Sequence, residues 1–363
     1  MFGTRPEAIK MAPLVKKLNE DSDIESVLCV TAQHREMLDQ VLELFQLTPD
    51  YDLNIMKPNQ TISMITANVL TGIEEVLVKE KPDIVLVHGD TSTTFAAALA
   101  AFYQKIDVGH VEAGLRTYDK YSPWPEEINR VLTGHIADVH FAPTERNRHN
   151  LLKEGIADEK IFVTGNTVID ALLEVVGKPY EFEDSLLKNI DFEKKRVIAV
   201  TCHRRENLGE NMHNIFGALA DIAKEFDDVE IIYPVHLNPI VRETADEVLS
   251  GIDNVHLIAP LQYQPFVNLM AKSYFILTDS GGMQEEAPSL GKPVLVVRKE
   301  TERPEAIEAG IVKLAGVEKS EIYSLAKMLL TDKEVYNKMS GARNPYGDGD
   351  ACDKIIKILK TRI

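Results

Sequence analysis

The sequence predicts an α/β protein built from two parallel-sheet domains. Short β-branched runs alternate with longer helical patterns, the alternation restarts after Lys194, and a charged, weakly periodic stretch separates the two halves. At 363 residues the chain is long enough for two domains of ordinary size. Hydrophobic residues at 44% and charged residues at 27% describe a core-forming chain rather than a disordered one.

The chain opens on Met1-Phe2-Gly3-Thr4-Arg5-Pro6. This reads as the loop after a strand, leading into a helix through Ile9 and Leu18 that Pro6 can open at its first position. The strand itself is almost absent, and a start placed several residues too late is favoured over a sheet that has lost its first strand. Strands are expected at 27–31, 84–88, 107–111, 139–142 and 161–164, with helices near 11–19, 34–45, 63–79 and 93–103 between them. Pro179 and the charges of 177–195 mark a domain boundary. Further strands are expected at 197–201, 230–235, 255–258, 274–278, 294–297 and 312–314. The domains are therefore set at 1–176 and 177–345. A last helix near 350–359, within a terminal segment 346–363, could pack back on the N-terminal domain.

Forty Lys and Arg against 57 Asp and Glu leave a net charge of −17, which argues against a general nucleic-acid binder. Local basic clusters can still hold an anionic small molecule. The three cysteines, Cys29, Cys202 and Cys352, are far apart and form neither a disulfide framework nor a zinc-spaced set. No apolar run of about 18 residues and no signal peptide is found, so a cytoplasmic protein without membrane partners is expected.

Candidate chemistry gathers at strand ends, where open α/β sheets bind ligands. His88-Gly89-Asp90 ends one strand and His110-Val111-Glu112 another, so Asp90 and Glu112 are expected in one cleft. Glu126 and Arg130 are spaced i,i+4 on the helix after Pro125; they read either as a solvent-facing pair or as cleft residues. Arg5 and Lys10 could meet a phosphate, Arg as a fork and Lys as a point charge. Ser280-Gly281-Gly282 follows an apolar strand and precedes a helix, a turn whose exposed N–H groups suit a diphosphate, with Glu286 one turn on for ribose hydroxyls. His203, Arg204 and Arg205 follow another strand end. A two-metal hydrolase using His88, His110, His135 and His140 is the minor alternative, since no dense ligand motif ties them together. No GxGxxG or Walker A pattern points to NAD or P-loop chemistry.

Ten segments occur in one order: FGTRPEAIKMAPLV at 2–15, TAQHREMLDQ at 31–40, VLVHGDTSTT at 85–94, VGHVEAGLRT at 108–117, YSPWPEEINR at 121–130, TGNTVIDAL at 164–172, HRREN at 203–207, YPVHLNP at 233–239, TDSGGMQEEAPSLGKPVLVVR at 278–298 and RNPYGDGDA at 343–351. Together they resemble the bacterial, non-hydrolysing UDP-N-acetylglucosamine 2-epimerase family over essentially the whole chain. The resemblance implies a GT-B-like architecture of two Rossmann-like domains with parallel sheets facing across a cleft. It implies interconversion of UDP-GlcNAc and UDP-ManNAc through elimination of UDP to 2-acetamidoglucal and readdition, with no cofactor and no metal. Asp90, Glu112, Glu126 and His203 match the family's catalytic positions. Arg5, Lys10, Arg130, Phe266, Ser280, Gly281, Gly282 and Glu286 match its substrate-binding positions, Phe266 near uracil. Gln33, His34, Glu36, Arg204 and His236 match a regulatory site at which UDP-GlcNAc is also an activator. A homodimer is implied as well.

Cys202 departs from the Gly or Ala expected before HRRE; retained activity with new sensitivity to thiol reagents is expected. The competing readings are a hydrolysing epimerase that releases ManNAc and UDP, a GT-B glycosyltransferase using a UDP-sugar donor, and a non-catalytic nucleotide-sugar sensor.

Overall fold

Every strand pairing among the described residues is parallel, as buried β-branched runs joined by helices produce. The computed structural model describes residues 1–33, 35–57 and 59–362. The chain forms two compact units, Met1–Glu174 with Tyr346–Ile363, and Val175–Pro345. None of their described helices is long and apolar enough to cross a membrane.

In the first unit, β1 (Cys29–Val30) and β2 (Tyr51–Asp52) form a small pair. A second sheet holds β3 (Ile84–His88), β4 (Asp107–Val111), β5 (Val139–Ala142) and β6 (Ile161–Val163) in that order. Phe2 makes one parallel bridge to Val30, and Thr31 N–H donates to Phe2 O at 3.1 Å. On its other side the Met1 ammonium donates to Leu86 O at 2.9 Å. Residues 1–2 thus run between β1 and β3, and the almost absent first strand is this one bridge. The strand expected at 27–31 shrinks to Cys29–Val30 for the same reason, because a ladder is only as long as its partner. The two-residue β2 carries no period in the sequence and was not anticipated.

The helix Arg5–Glu20 begins one residue before the expected place, so Pro6 occupies its second position. Thr4 caps it, with Glu7 three residues on completing a capping box. The last helix, Ala351–Lys360, belongs to this unit. Cys352 N–H donates to buried Asp170 at 2.9 Å, and Lys17 pairs with Asp353 at 2.5 Å.

The second unit is a single sheet of β7 (Arg196–Thr201), β8 (Val229–Pro234), β9 (Val255–Ile258), β10 (Phe275–Thr278), β11 (Val294–Val296) and β12 (Val312–Leu314). Its order is β12-β11-β10-β7-β8-β9, so after β9 the chain returns to the opposite side of β7. Strand order therefore reverses between β7 and β10. The loops beyond their carboxyl ends diverge there and leave room for a ligand. Ile198, Val200, Phe216, Ile231, Phe275 and Leu277 fill the core beneath, each side chain contributing about 2 kcal/mol by leaving water.

Candidate active site

Register brings the first unit's carboxylates together. β3 pairs with β4 so that His88 lies opposite Val111, which places Gly89-Asp90 beside Glu112 at neighbouring carboxyl ends. Glu112 itself has φ 61°, a left-handed backbone that a glutamate adopts only where its surroundings hold it. Its Oε2 lies 2.5 Å from Lys10 Nζ and 3.0 Å from His88 Nε2. Partial burial pushes the Glu112 pKa up, but Lys10 and His88 overcome it and hold the carboxyl well below the usual range. For Asp90 the balance is reversed. Loss of water raises its pKa beyond what Arg130 can offset, with Glu112 and Glu126 adding repulsion.

Arg130 Nη2 donates to Asp90 Oδ2 at 2.6 Å, and its Nη1 lies 3.3 Å from Glu127. This corrects the expectation that Arg130 accompanies Glu126. Arg130 and Glu127 are buried on the inner face of the helix Glu126–Ile136, whereas Glu126 is half-buried at its first turn. Glu126 is still close enough to Asp90 to raise its pKa. Lys10, Asp90, Glu112, Glu126 and Arg130 form one electrostatic cluster, and half-buried Arg5 opens the helix that carries Lys10.

The approach of the chain start needs its glycine, because a Cβ at Gly3 would collide with Thr31 Oγ1. Gly114, two residues beyond Glu112, has φ 91° and its Cβ would meet the Asn147 carbonyl. His110 Nε2 lies 2.7 Å from Gly89 O and His140 Nε2 2.8 Å from Gly134 O. His135 is exposed. Among the described residues no three His, Cys, Asp or Glu side chains converge as metal ligands.

In the second unit β7 pairs with β10, Thr201 opposite Thr278, and the two hydroxyls are 2.6 Å apart. Cys202-His203 and Asp279-Ser280 therefore leave the sheet side by side at the switch point. His203 stacks on exposed His236, ring centroids 5.0 Å apart and planes 9° from parallel. Desolvation lowers the His203 pKa despite Asp279, so the imidazole is neutral at neutral pH.

Ser280 N–H is taken by Thr278 Oγ1 at 2.9 Å, but Gly281, Gly282 and Met283 N–H have no hydrogen-bond partner among the described residues. The following helix, Met283–Ser289, is short, so the turn's own N–H groups rather than a helix dipole make it anion-attracting. Glu286 is buried in that helix, with its N–H bonded to Gly282 O at 3.0 Å. Phe266 is half-buried in the first turn of the helix Tyr263–Lys272. Arg204 lies beside Gly281. Of the remaining regulatory candidates, Gln33 accepts from Thr93 at 3.5 Å and Glu36 is exposed, both in the first unit. His34 lies outside the described residues.

The expected sensitivity of Cys202 to thiol reagents is not supported. Its side chain is 1% exposed, and burial beside Asp279 pushes the thiol pKa well up, so little reactive thiolate forms.

Four residues of these clusters escaped the sequence reading. Glu7 ties Gly3 and Thr4 to Thr91 and Thr94, accepting at 2.6–3.1 Å; its signal was the Thr4-x-x-Glu7 capping box. His88 reads from the sequence as a metal ligand or a packing histidine, not as the partner of Glu112. Glu127 was overshadowed by its neighbour, since i,i+4 spacing selects Glu126. Asp279 lacks any local signal beyond preceding Ser280.

A family model described as UDP-N-acetylglucosamine 2-epimerase matches residues 16–360. The chain belongs to this family. It is 60% identical over 359 residues to the UDP-N-acetylglucosamine 2-epimerase of Bacillus subtilis (strain 168), covering 99% of this chain and 93% of that protein. It is 59% identical over 365 residues to that of Escherichia coli (strain K12), covering 99% and 97%. The crystal structure of UDP-GlcNAc 2-epimerase from Neisseria meningitidis bound to UDP-GlcNAc is 54% identical, with a TM-score of 0.87 over 99% of this chain and 98% of that one. The α/β class with parallel sheets in separate units is the family's GT-B-like fold.

Proposed function

We propose that the protein interconverts UDP-GlcNAc and UDP-ManNAc at C2 without net hydrolysis. A carboxylate removes the C2 proton, the C–H electron pair becomes the C1=C2 double bond, and the C1–O pair leaves with UDP. Reversal delivers a proton to the opposite face of C2 and returns a UDP oxygen to C1. A sugar C2–H is weakly acidic, so the step needs a positioned base and an acid of different pKa. The observation that carries this reading is the pairing at neighbouring strand ends of Asp90, raised, with Glu112, lowered. Two carboxyls pushed apart in this way suit opposite proton-transfer roles. Glu126 completes the set, Arg130 and Lys10 hold the charge balance, and Arg5 meets the phosphate side.

In the second unit Ser280, Gly281 and Gly282 take the diphosphate, His203 steadies the leaving UDP, Glu286 holds ribose and Phe266 packs on uracil. Departing diphosphate is favoured by N–H donors already aimed at it. UDP-GlcNAc is both substrate and, through Gln33, His34, Glu36, Arg204 and His236, activator of a cytoplasmic homodimer.

Incubation with UDP-GlcNAc in D₂O, followed by NMR at C2, tests the reading. UDP-ManNAc carrying deuterium at C2 is expected. Free ManNAc with UDP would identify the hydrolysing branch, and neither exchange nor product at saturating substrate would overturn the assignment.

A further inference from the structure

His203 and the phosphate-side turn share one anchor that the reaction scheme has not used. Asp279 is fully buried between them, the residue after β10 and the residue before Ser280. Its Oδ2 accepts from His203 N–H at 2.7 Å, Arg204 N–H at 2.7 Å and Asn207 Nδ2 at 3.1 Å. Its own N–H donates to Thr201 O at 3.1 Å, which ties it to the end of β7. Asn207 in turn donates to Val297 O at 3.0 Å, so the loop 203–207 is fastened at both ends.

The other carboxylate oxygen is different. Oδ1 is buried, has no geometric hydrogen-bond partner among the described residues, and lies 3.6 Å from His203 Nδ1. An orphaned buried acceptor carries a desolvation cost that a donor in reach would remove. Two donors lie beside this carboxylate: the His203 ring, whose Nδ1 is within ion-pairing distance of Oδ1, and the Cys202 thiol, a weak donor whose bond to Asp279 helps push its own pKa up. Asp279 is held by the three bonds to Oδ2, so a small rotation of the more exposed His203 ring is what would close that gap to a hydrogen bond. Stacking on His236 restricts the ring plane, so the Asp279 contact decides which nitrogen faces inward. With Nδ1 turned toward Asp279, Nε2 is the nitrogen directed away from the anchor, on a side chain 41% exposed.

We propose that Asp279 is a positioning residue, holding His203 as the Nδ1–H tautomer with Nε2 presented to ligand. The role of Nε2 rests on the reading of His203 as the group beside the leaving diphosphate; the tautomer does not. A neutral imidazole is donor at one nitrogen and acceptor at the other, so fixing Nδ1–H makes Nε2 the acceptor. Nε2 can then take up a proton, and the resulting imidazolium, balanced by Asp279 at Nδ1–H, can donate it to an oxygen of the leaving phosphate. Asp279 thereby links the two phosphate-side elements of this unit: the same residue fastens the 203–207 loop and leads the Ser280 turn.

The test is ¹⁵N NMR of histidine-labelled full-length protein without ligand at pH 8, with the His203 signals assigned by their loss in His203→Asn. The wild type is expected to show Nδ1 protonated. In Asp279→Asn the amide oxygen can keep the three donors on the Oδ2 side, while its NH₂ replaces Oδ1 and donates to Nδ1. The tautomer is then expected to switch to Nε2–H. The His203 pKa is expected to fall further, because of the charged or titratable groups facing the ring, Asp279, His236 and Arg204, only Asp279 raises it. Turnover should fall about 10²-fold while KM changes less than about threefold, the signature of a misdirected proton-transfer group rather than lost binding. A wild-type His203 protonated at Nε2 overturns the proposal without any variant, so an unfolded Asp279→Asn protein does not shield it. An unchanged tautomer in a folded Asp279→Asn protein also overturns it. Failure of the epimerase reading would appear as absent turnover in wild type with the tautomer intact.

Discussion

Arg130 Nη2 meets Asp90 Oδ2 at 2.6 Å, joining a helix to a strand end 40 residues earlier in the chain. The same guanidinium reaches Glu127 at 3.3 Å, whose oxygens also accept from Thr117 and Tyr118 N–H at 2.9–3.1 Å. Only a planar fork can face both carboxylates at once. The loop 117–118, the helix that follows it and the Asp90 turn are thereby set relative to one another.

Replacing Arg130 with Ala should leave buried Glu127 without its ion pair and partly buried Asp90 with only the more distant charge of Lys10. We expect a loss of about 3 kcal/mol in urea unfolding, only partly recovered by Arg130→Lys, because a point charge cannot span both partners. Unfolding midpoints of both variants matching the wild type would contradict the bridge.

Neutralising the carboxylates separates chemistry from binding. Asp90→Asn, Glu112→Gln and Glu126→Gln should each reduce kcat by about 10²–10⁴-fold, the range of a lost acid or base. UDP affinity, read by calorimetry, should change by less than about threefold, since UDP lacks the reacting hexose. Wild-type turnover in all three would remove the cluster from the reaction.

His110 makes stability depend on pH. Burial pushes its pKa from 6.5 down to about 3, with the bond to Gly89 opposing. The native state keeps the ring neutral while the unfolded chain protonates it, so its contribution is complete above pH 6.5 and is lost as pH falls toward 3. Between pH 7.5 and 4.5 the wild type should lose about 2–3 kcal/mol more than His110→Gln in urea titrations. Parallel pH profiles for the two proteins would refute this.

The three thiols, Cys29, Cys202 and Cys352, are all buried. Intact-mass measurement after N-ethylmaleimide should find no adduct on native protein, and activity should be unchanged; the same treatment in urea should label all three. Adduct formation at Cys202 in the native state would show that its burial is transient.

Strands were the most legible part of the chain. The runs at 84–88, 107–111, 139–142, 255–258 and 312–314 coincide with β3, β4, β5, β9 and β12 residue for residue, because short β-branched and apolar runs bounded by turn residues and helices mark parallel strands even where, as in β9 and β12, burial is partial. The chain start was legible as a loop without its strand, but not as the bridge of Phe2 to Val30, which needs a partner 28 residues away. Within the candidate site, residues at strand ends stood out. Residues that hold them, such as Glu7, Glu127 and Asp279, did not, since a buried carboxylate looks like any surface carboxylate until its donors are known.

By itself the sequence determined the α/β class, the restart of the pattern after Lys194 and the residue types available at each strand end. Those follow from local periodicity and turn chemistry, which neighbouring residues settle among themselves. The tertiary structure alone decided that Arg130 serves Asp90 and Glu127 rather than Glu126, that Asp90 and Glu112 carry opposite pKa shifts, and that Asp279 lies under His203. The reason is physical: desolvation and charge pairing depend on distances between side chains brought together by strand register and helix rotation, and spacing along the chain does not contain them.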